Sequence, residues 1–376
     1  MAAGLATLRH HQRQRSKVQS ETKREGHEVT LALLSQNVRG FPAAGGRMTE
    51  WFQSFRQRES EVQIDMVLLQ ETHVTTAEIT ATTDAHCRNW GFDPAIRETP
   101  LSFWSPADDK KGGVGILMNP FSAITEVEPY LEEHWTPHWM AVTAVMDDVA
   151  FHVLNVYAPT VKPEREAVFR ELHTHFAHLE EPLWVGGDFN STQLRSLDRS
   201  FSTGTDTHHS RALASLLLDR ALTDVAEEAI AEAVTEEQVG QFRSLHHTFF
   251  YRLPDGSPAS SRLDRWYVST QMYEWVRKVQ VVIPGPGSDH NGVLLLICNP
   301  RRKRRRKGIA PAYPVPLYAA AEADKVATRI LDSFELALAK MPDAEMGTQR
   351  HAEVWARKWD ELKYEIRAAY RSTRRE

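Results

Sequence analysis

Six segments of this chain end or begin apolar runs on residues able to do chemistry. They present Asn37, Glu71, Asn155 with Tyr157, Asp188 with Asn190, Asp264, and Asp289 with His290. In α/β sheets, ligands collect at strand ends, so polar residues repeated there are candidates for one shared site. The kit holds acids, amides, a phenol and a histidine, without a serine elbow, a nucleophilic cysteine or a glycine-rich phosphate loop. Such donors suit a hard, oxygen-loving cation and a phosphate ester. Singly, each residue also has an ordinary reading. Glu71 is then a strand-end surface acid, Asn37 a turn former, Tyr157 a core aromatic, Asp264 an ion partner of Arg262 or Arg265, and His290 a loop histidine. All of them recur at strand ends in one chain, and that recurrence points to a site.

The centre of the pattern is Trp184-Val185-Gly186-Gly187-Asp188-Phe189-Asn190. Trp184 and Val185 suit a buried strand, and the glycines let the backbone turn where a side chain would clash. Asp188 and Asn190, two apart, then point the same way while Phe189 is buried beneath. Around it, Leu31–Asn37, Asp65–Glu71, Gly112–Met118, Thr248–Tyr251, Arg262–Ser269, Val279–Ile283 and Val293–Cys298 read as strands. Trp139–Met146 and Val149–Tyr157 read as a hairpin. Val145-Met146-Asp147-Asp148 resembles the metal-binding turn of reverse transcriptases, but between two β-rich runs it reads as the hairpin turn. Met48–Arg58, Pro163–His178 and Arg211–Ala233 read as helices. Alternating strands and helices over this length predict a sizeable α/β domain. His208, His209, His246 and the acidic run Glu227–Glu237 match no metal spacing and read as structural or solvated.

The segments Ser35-Gln36-Asn37-Val38, Leu69-Gln70-Glu71-Thr72-His73, Asn155-Val156-Tyr157-Ala158-Pro159, Gly186-Gly187-Asp188-Phe189-Asn190, Ser261-Arg262-Leu263-Asp264 and Ser288-Asp289-His290 occur in that order. Together they resemble the endonuclease/exonuclease/phosphatase superfamily. The Gln-Glu-Thr-His wording, Asn-Val-Tyr-Ala-Pro and His247-Thr248-Phe249-Phe250 resemble the endonuclease domain of non-LTR (LINE-type) retrotransposons. The resemblance covers roughly Leu31–Cys298 and implies a four-layer α/β sandwich, two mixed β-sheets flanked by helices. It also implies a DNA endonuclease that nicks and leaves a 3′-hydroxyl, using Mg²⁺ (or Mn²⁺). On this resemblance Glu71, Asn37 and Asp289 hold the metal, and Asp188 handles the attacking water. His290, oriented by Asp264, bonds a phosphate oxygen, and Asn190 and Tyr157 donate to it. One departure is Arg39, where apurinic endonucleases carry an acid, which speaks against that branch and a second metal. Fold does not fix substrate. The alternatives are a phosphatase or phosphodiesterase acting on inositol phosphates, sphingomyelin or RNA, and an inactive nucleic-acid-binding remnant.

The 376 residues carry a formal net charge of −5 and two cysteines, Cys87 and Cys298, which fit a reducing compartment without a disulfide framework. No apolar run approaches a membrane span, so no membrane partner is expected. An intracellular protein is expected, with the nucleus as one address. Residues 1–28 read as a disordered basic tail and 29–299 as the catalytic domain. Arg301–Lys307, within a linker at 300–316, reads as a solvated run with non-specific nucleic-acid affinity or a nuclear address. Residues 317–376 read as a helical extension. Its stripe Trp355, Trp359, Leu362, Ile366 and Tyr370 must pack on the α/β domain, on a partner helix, or on a segment outside the chain.

Overall fold

The computed structural model describes residues 31–41, 46–57, 64–90, 92–95, 99–108, 111–201, 208–301 and 320–339, with parts of 354–369. The basic tail and most of the basic linker lie outside the described residues. Two six-stranded sheets form the body. The first contains β1 (Leu31–Asn37), β2 (Met66–Gln70), β3 (Ser102–Ser105), β4 (Val114–Met118), β13 (Val276–Val282) and β14 (Gly292–Ile297), in the order β13-β14-β1-β2-β4-β3. The second contains β5 (Thr125–Tyr130), β6 (Trp139–Met146), β7 (Val149–Tyr157), β8 (Leu183–Asp188), β9 (Leu222–Asp224) and β12 (Asp264–Ser269), in the order β5-β6-β7-β8-β12-β9. A separate pair, β10 (Phe249–Arg252) with β11 (Pro258–Ser261), completes the β-structure.

Alternation along the strands builds the layers. In β1, Leu31 and Leu33 enter the core between the sheets, while Ala32 and Leu34 face the helix side. In β2, Met66 and Leu68 face inward to the second sheet, and Val67 and Leu69 face outward. Trp51, Phe52 and Phe55 of helix Gly46–Gln57 cover that outer face. On the other side, Phe169 and Leu172 of helix Lys162–His175 and Leu213 and Leu216 of helix Arg211–Asp219 cover Leu183 and Val185. This is the expected four-layer α/β sandwich. Strands covered on both faces are apolar where they cross the core, as Leu31–Leu34 of β1 are, and all seven residues of β1 are buried.

The acidic turn Asp147-Asp148 joins β6 to β7 with both residues at positive φ, 53° and 63°. That is the geometry of a two-residue hairpin turn, so the likeness to a metal-binding turn has no chemical meaning here. One expectation is corrected. Arg211–Ala233 is not one helix: it breaks at Ala221 (φ 47°), and Leu222–Asp224 pairs with Tyr267–Ser269 as an edge strand before helix Glu227–Glu232. Pairing to an existing sheet edge outweighs the helix propensity of an Ala-rich stretch. The acidic run continues into helix Glu236–His246, opened by a Thr235/Gln238 capping box. Strands β3, β5 and β11 and helix Ile79–Asn89, which have weak apolar patterns, were not legible in the sequence. Both cysteines are buried, and neither takes part in a disulfide. Among the described residues no helix is long and apolar enough to cross a membrane.

The chain divides into two compact units, Met1–Arg306 and Lys307–Glu376. In the second unit, Trp359 packs on Phe334 of helix Ala320–Ala339 with ring centroids 6.0 Å apart, so the partner helix takes part of the stripe.

Strand direction decides where chemistry can gather. β1 and β2 run parallel, as do β7 and β8, whereas β12 is antiparallel to β8 and β14 to β1. The carboxyl ends of β1, β2, β7 and β8 therefore lie at the same edge as the amino ends of β12 and β14. Asp264 starts its strand rather than ending one, and the antiparallel pairing returns it to the same edge. The two glycines before Asp188 make this approach close enough. A Cβ on Gly187 would lie 1.9 Å from the Val156 carbonyl oxygen, and one on Gly186 2.8 Å from Leu68 and the Trp266 ring. We expect Gly187→Ala to lower stability by more than about 3 kcal/mol, because backbone atoms of the next strand cannot move aside. Gly256→Ala, at φ 84° in a turn with open space, is expected to cost about 1 kcal/mol. Thermal melts of the two variants check this ranking, and equal losses would contradict it.

Candidate active site

Register pairs Asp264 directly across from Asp188, and Tyr157 is the parallel neighbour of Asp188 on the other side. Two buried carboxylates facing each other across strands repel. His290, arriving on the turn before β14, resolves the conflict. Its Nδ1 lies 2.9 Å from Asp264 Oδ2 and 3.9 Å from Asp188 Oδ2. Burial alone would lower the pKa of the imidazole, but the charges of Asp264 and Asp188 and the bond to Asp264 raise it to about 10. Burial, then repulsion from Asp264, pushes the Asp188 carboxyl up to about 7, against the opposing pull of His290. A group titrating near neutrality in a buried cleft is matched to proton transfer.

Asn37 links this triad to Glu71. Its Nδ2 donates to Glu71 Oε1 (3.1 Å) and to Asp188 Oδ2 (3.0 Å), while its Oδ1 accepts from the Arg39 N–H (3.0 Å). One amide thus spans both sheets. Glu71 sits at φ 51°, with Arg39, His73 and Asn190 also at positive φ. Non-glycine residues in this region each cost of order 1–2 kcal/mol and cluster at functional sites. Tyr157 is hydrogen bonded to Glu71. Burial first, then the charge of Glu71, raises its pKa, so the phenol stays protonated. Asn190 donates its N–H to Asp188 Oδ1 at 2.9 Å and its Nδ2 to the Ala158 carbonyl at 2.8 Å. Phe189 is buried beneath, as expected.

The sequence-predicted residues are therefore brought together, with two exceptions. Asp289 is turned to Arg39, whose Nη1 lies 2.8 Å from its Oδ2 in a largely exposed pair. Its expected place beside a cation is occupied by a guanidinium contact instead. Asn155 is fully buried: it donates to the Leu69 and Gly115 carbonyls (2.9 Å each) and accepts from Gln70 Nε2 (2.7 Å). It fastens one sheet to the other beneath the site. Asp264 is not the ion partner of Arg262 or Arg265. Arg265 pairs with Asp198 at 2.8 Å, and Arg262 with Asp224.

Several positioning residues escaped the sequence reading. Thr248 Oγ1 accepts from the N–H groups of Leu263 and Asp264 (3.2 Å each), fixing where β12 begins. Gln36 Nε2 donates to the carbonyls of Asn37 (2.7 Å) and His290 (2.9 Å), and the Ser288 hydroxyl donates to Asn37 O (2.7 Å). These bonds hold the His290 turn on the end of β1. The Phe249 ring packs on His290 at 4.8 Å. Each of these side chains lies within one of the quoted segments, which was the available signal, but had no role assigned to it there.

Which residues could hold a divalent metal follows from donor chemistry. Among the described residues, the group of three metal-ligating side chains that converges is Asp188, Asp264 and His290, with ligand atoms within 4.8 Å of one another. An imidazolium offers no lone pair, so this group works as a charge triad while His290 is protonated. Glu71 presents a carboxylate on a strained loop beside the Asn37 amide, whose oxygen keeps a second lone pair. That all-oxygen pair fits a hard cation completed by water.

The fold and site define a hydrolase of phosphate esters. The chain belongs to the endonuclease/exonuclease/phosphatase family, whose model matches residues 34–290. A stretch of 170 residues, 45% of this chain and 11% of the relative, is 32% identical to the "Transposon TX1 uncharacterized 149 kDa protein" of Xenopus laevis. The fold is similar to the AP endonuclease LMAP from Leishmania major, with TM-score 0.51 and 15% identity over 72% of this chain and 88% of that one. It is similar also to an AP endonuclease from Archaeoglobus fulgidus, with TM-score 0.50 and 14% identity over 71% and 99% of the two chains.

A folded-state pKa raised from 6.5 to about 10 means that His290 contributes stability fully below pH 6.5 and loses it as pH rises through 10. NMR titration of the metal-free protein is expected to show the His290 ring protonated until about pH 10. Asp264→Asn should lower that midpoint by about 1–3 pH units. A wild-type ring titrating near 6.5 would contradict the charge triad.

Proposed function

We propose that the chain is a Mg²⁺-dependent endonuclease that hydrolyses a phosphodiester bond of duplex DNA, leaving a 3′-hydroxyl, and that it derives from a retrotransposon. The observation that carries the reading is the Asn37 amide donating at once to Glu71 and Asp188, with Asp188 facing the Asp264–His290 pair. The likeness to the TX1 transposon protein supports a transposon origin. Glu71 and Asn37 would hold the cation; Asp289 would join them only after releasing Arg39. Bound there, the cation would offset charge on the scissile phosphate and on the leaving 3′-oxygen.

The chain's own residues divide the remaining work. Asp188 orients the attacking water and takes its proton, general base work worth about 10²–10⁴-fold. With Nδ1 held by Asp264, His290 offers Nε2–H to a phosphate oxygen as an imidazolium. Tyr157, kept protonated, donates a hydrogen bond to the same group, and Asn190 holds the carboxylate of Asp188 in orientation. The water oxygen bonds to phosphorus as the P–O3′ bond breaks, and the leaving 3′-oxygen takes a proton from solvent, giving the 3′-hydroxyl and a 5′-phosphate.

Supercoiled plasmid incubated with Mg²⁺ is expected to yield relaxed circles, and Mn²⁺ to substitute. Asp188→Asn and His290→Ala should each slow nicking by about 10²-fold or more. Glu71→Gln should raise the metal concentration needed. Nicking that persists unchanged in these variants would sink the proposal. Release of phosphate from inositol phosphates without nicking would favour the phosphatase reading.

A further inference from the structure

Asp289 stands one residue before His290, and its carboxylate meets the guanidinium of Arg39, with Nη1 2.8 Å from Oδ2. The two side chains are 61% and 39% exposed, and an isolated exposed pair of this kind is worth little. This pair is not isolated, because fixed backbone delivers both of its ends. The Arg39 N–H donates to Asn37 Oδ1 at 3.0 Å. Around it, the N–H groups of Val38, Gly40 and Phe41 donate to the carbonyls of Gln70 (2.9 Å), Glu71 (2.7 Å) and Thr72 (2.6 Å), which fastens the loop along the end of β2. The Ser288 hydroxyl donates to Asn37 O at 2.7 Å and accepts from the His290 N–H at 3.0 Å, so the turn that carries Asp289 is held on the end of β1. Groups presented this way lose little freedom when they meet, and the planar guanidinium loses less than an ammonium would.

The place of the guanidinium matters more than the strength of its contact. The loop of Arg39 touches both groups that fit a cation: it bonds the Asn37 amide oxygen, and the next residue bonds the carbonyl of Glu71. A second divalent ion drawn to Asp289 would therefore meet a like charge already seated there. The charges of the site count the same way. With Asp188 ionised for its work as a base, four carboxylates (Glu71, Asp188, Asp264 and Asp289) face two cationic side chains, His290 and Arg39. One divalent ion cancels the two negative charges that remain. Removing Arg39 would raise that deficit to three and release Asp289 as an oxygen donor.

We propose that Arg39 takes the place of a second metal ion: the site holds one divalent cation, on Glu71 and Asn37, and Asp289 is the counter-ion of Arg39 rather than a metal ligand. The inference rests on the reading of Glu71 and Asn37 as the metal-holding pair. It makes the number of ions a property of one side chain. A guanidinium fixed beside the site supplies, at any metal concentration, a positive charge that a second ion would bring only when bound.

The test is the number of Mn²⁺ ions that the full chain binds without DNA, read from the loss of the free-ion EPR signal and taken as the difference from Glu71→Gln. Plasmid nicking is run alongside. The wild-type difference should be one ion. Arg39→Met, at an exposed position, should raise it to two ions or tighten the single ion by about tenfold, and Arg39→Lys should keep the wild-type behaviour. Asp289→Asn alone should leave the wild-type affinity within about threefold, and combined with Arg39→Met it should erase the gain. Two ions in the wild type, a loss of about tenfold or more with Asp289→Asn alone, or no gain in a folded Arg39→Met chain overturns the assignment, whatever the nicking result. One ion with the expected gains but no nicking supports the assignment and rejects the nuclease reading. Equal binding by the wild type and Glu71→Gln rejects the assignment together with the metal role of Glu71.

Discussion

Two carboxylates forced face to face in a dry sheet edge are the constraint on which the rest of the site depends. The β8–β12 register pairs Asp188 with Asp264, and both are buried. Without a counter-charge, such a pair carries a penalty of several kcal/mol per ion. The imidazolium of His290 offsets it, and so do the N–H groups of Asn190 and the Asn37 amide. The surrounding architecture then reads as support for that arrangement. Gln36 and Ser288 pin the His290 turn, Thr248 fixes the first residue of β12, and Gly186 and Gly187 let β8 pass between Trp266 and Val156.

The same constraint explains why the site straddles two sheets. Packing through the layer formed by Leu33, Leu68, Trp184 and Trp266 brings the two sheet edges side by side. Asn155 and Gln70 lock them by hydrogen bonds in the buried layer. Asn37, itself buried, bridges them at the site, one N–H to each carboxylate. A buried polar network of this kind fixes relative position because slippage would leave its groups unpaired.

The sandwich and most of the site were legible because they follow from short-range rules. Apolar runs such as Leu31–Leu34 must be covered on both faces, and polar residues closing those runs must meet at one edge. What escaped depends on distant partners. β9 exists because β12 offers an edge, a fact absent from the Ala-rich stretch that contains it. Asp289 has the same residue type as a metal ligand, and only the fold shows Arg39 within 2.8 Å of it. Nothing in the local sequence marks Asp198 as buried, and only the fold shows it to be the counter-ion of Arg265.

On the proposed function, Glu71, Asp188 and His290 act as one unit joined through Asn37. A kinetic double-mutant comparison on supercoiled plasmid measures this directly, using Asp188→Asn, His290→Ala and the two together. If the residues serve one transition state, the double variant loses no more than about tenfold beyond the worse single variant. Losses that multiply in full would show independent contributions and contradict a shared site.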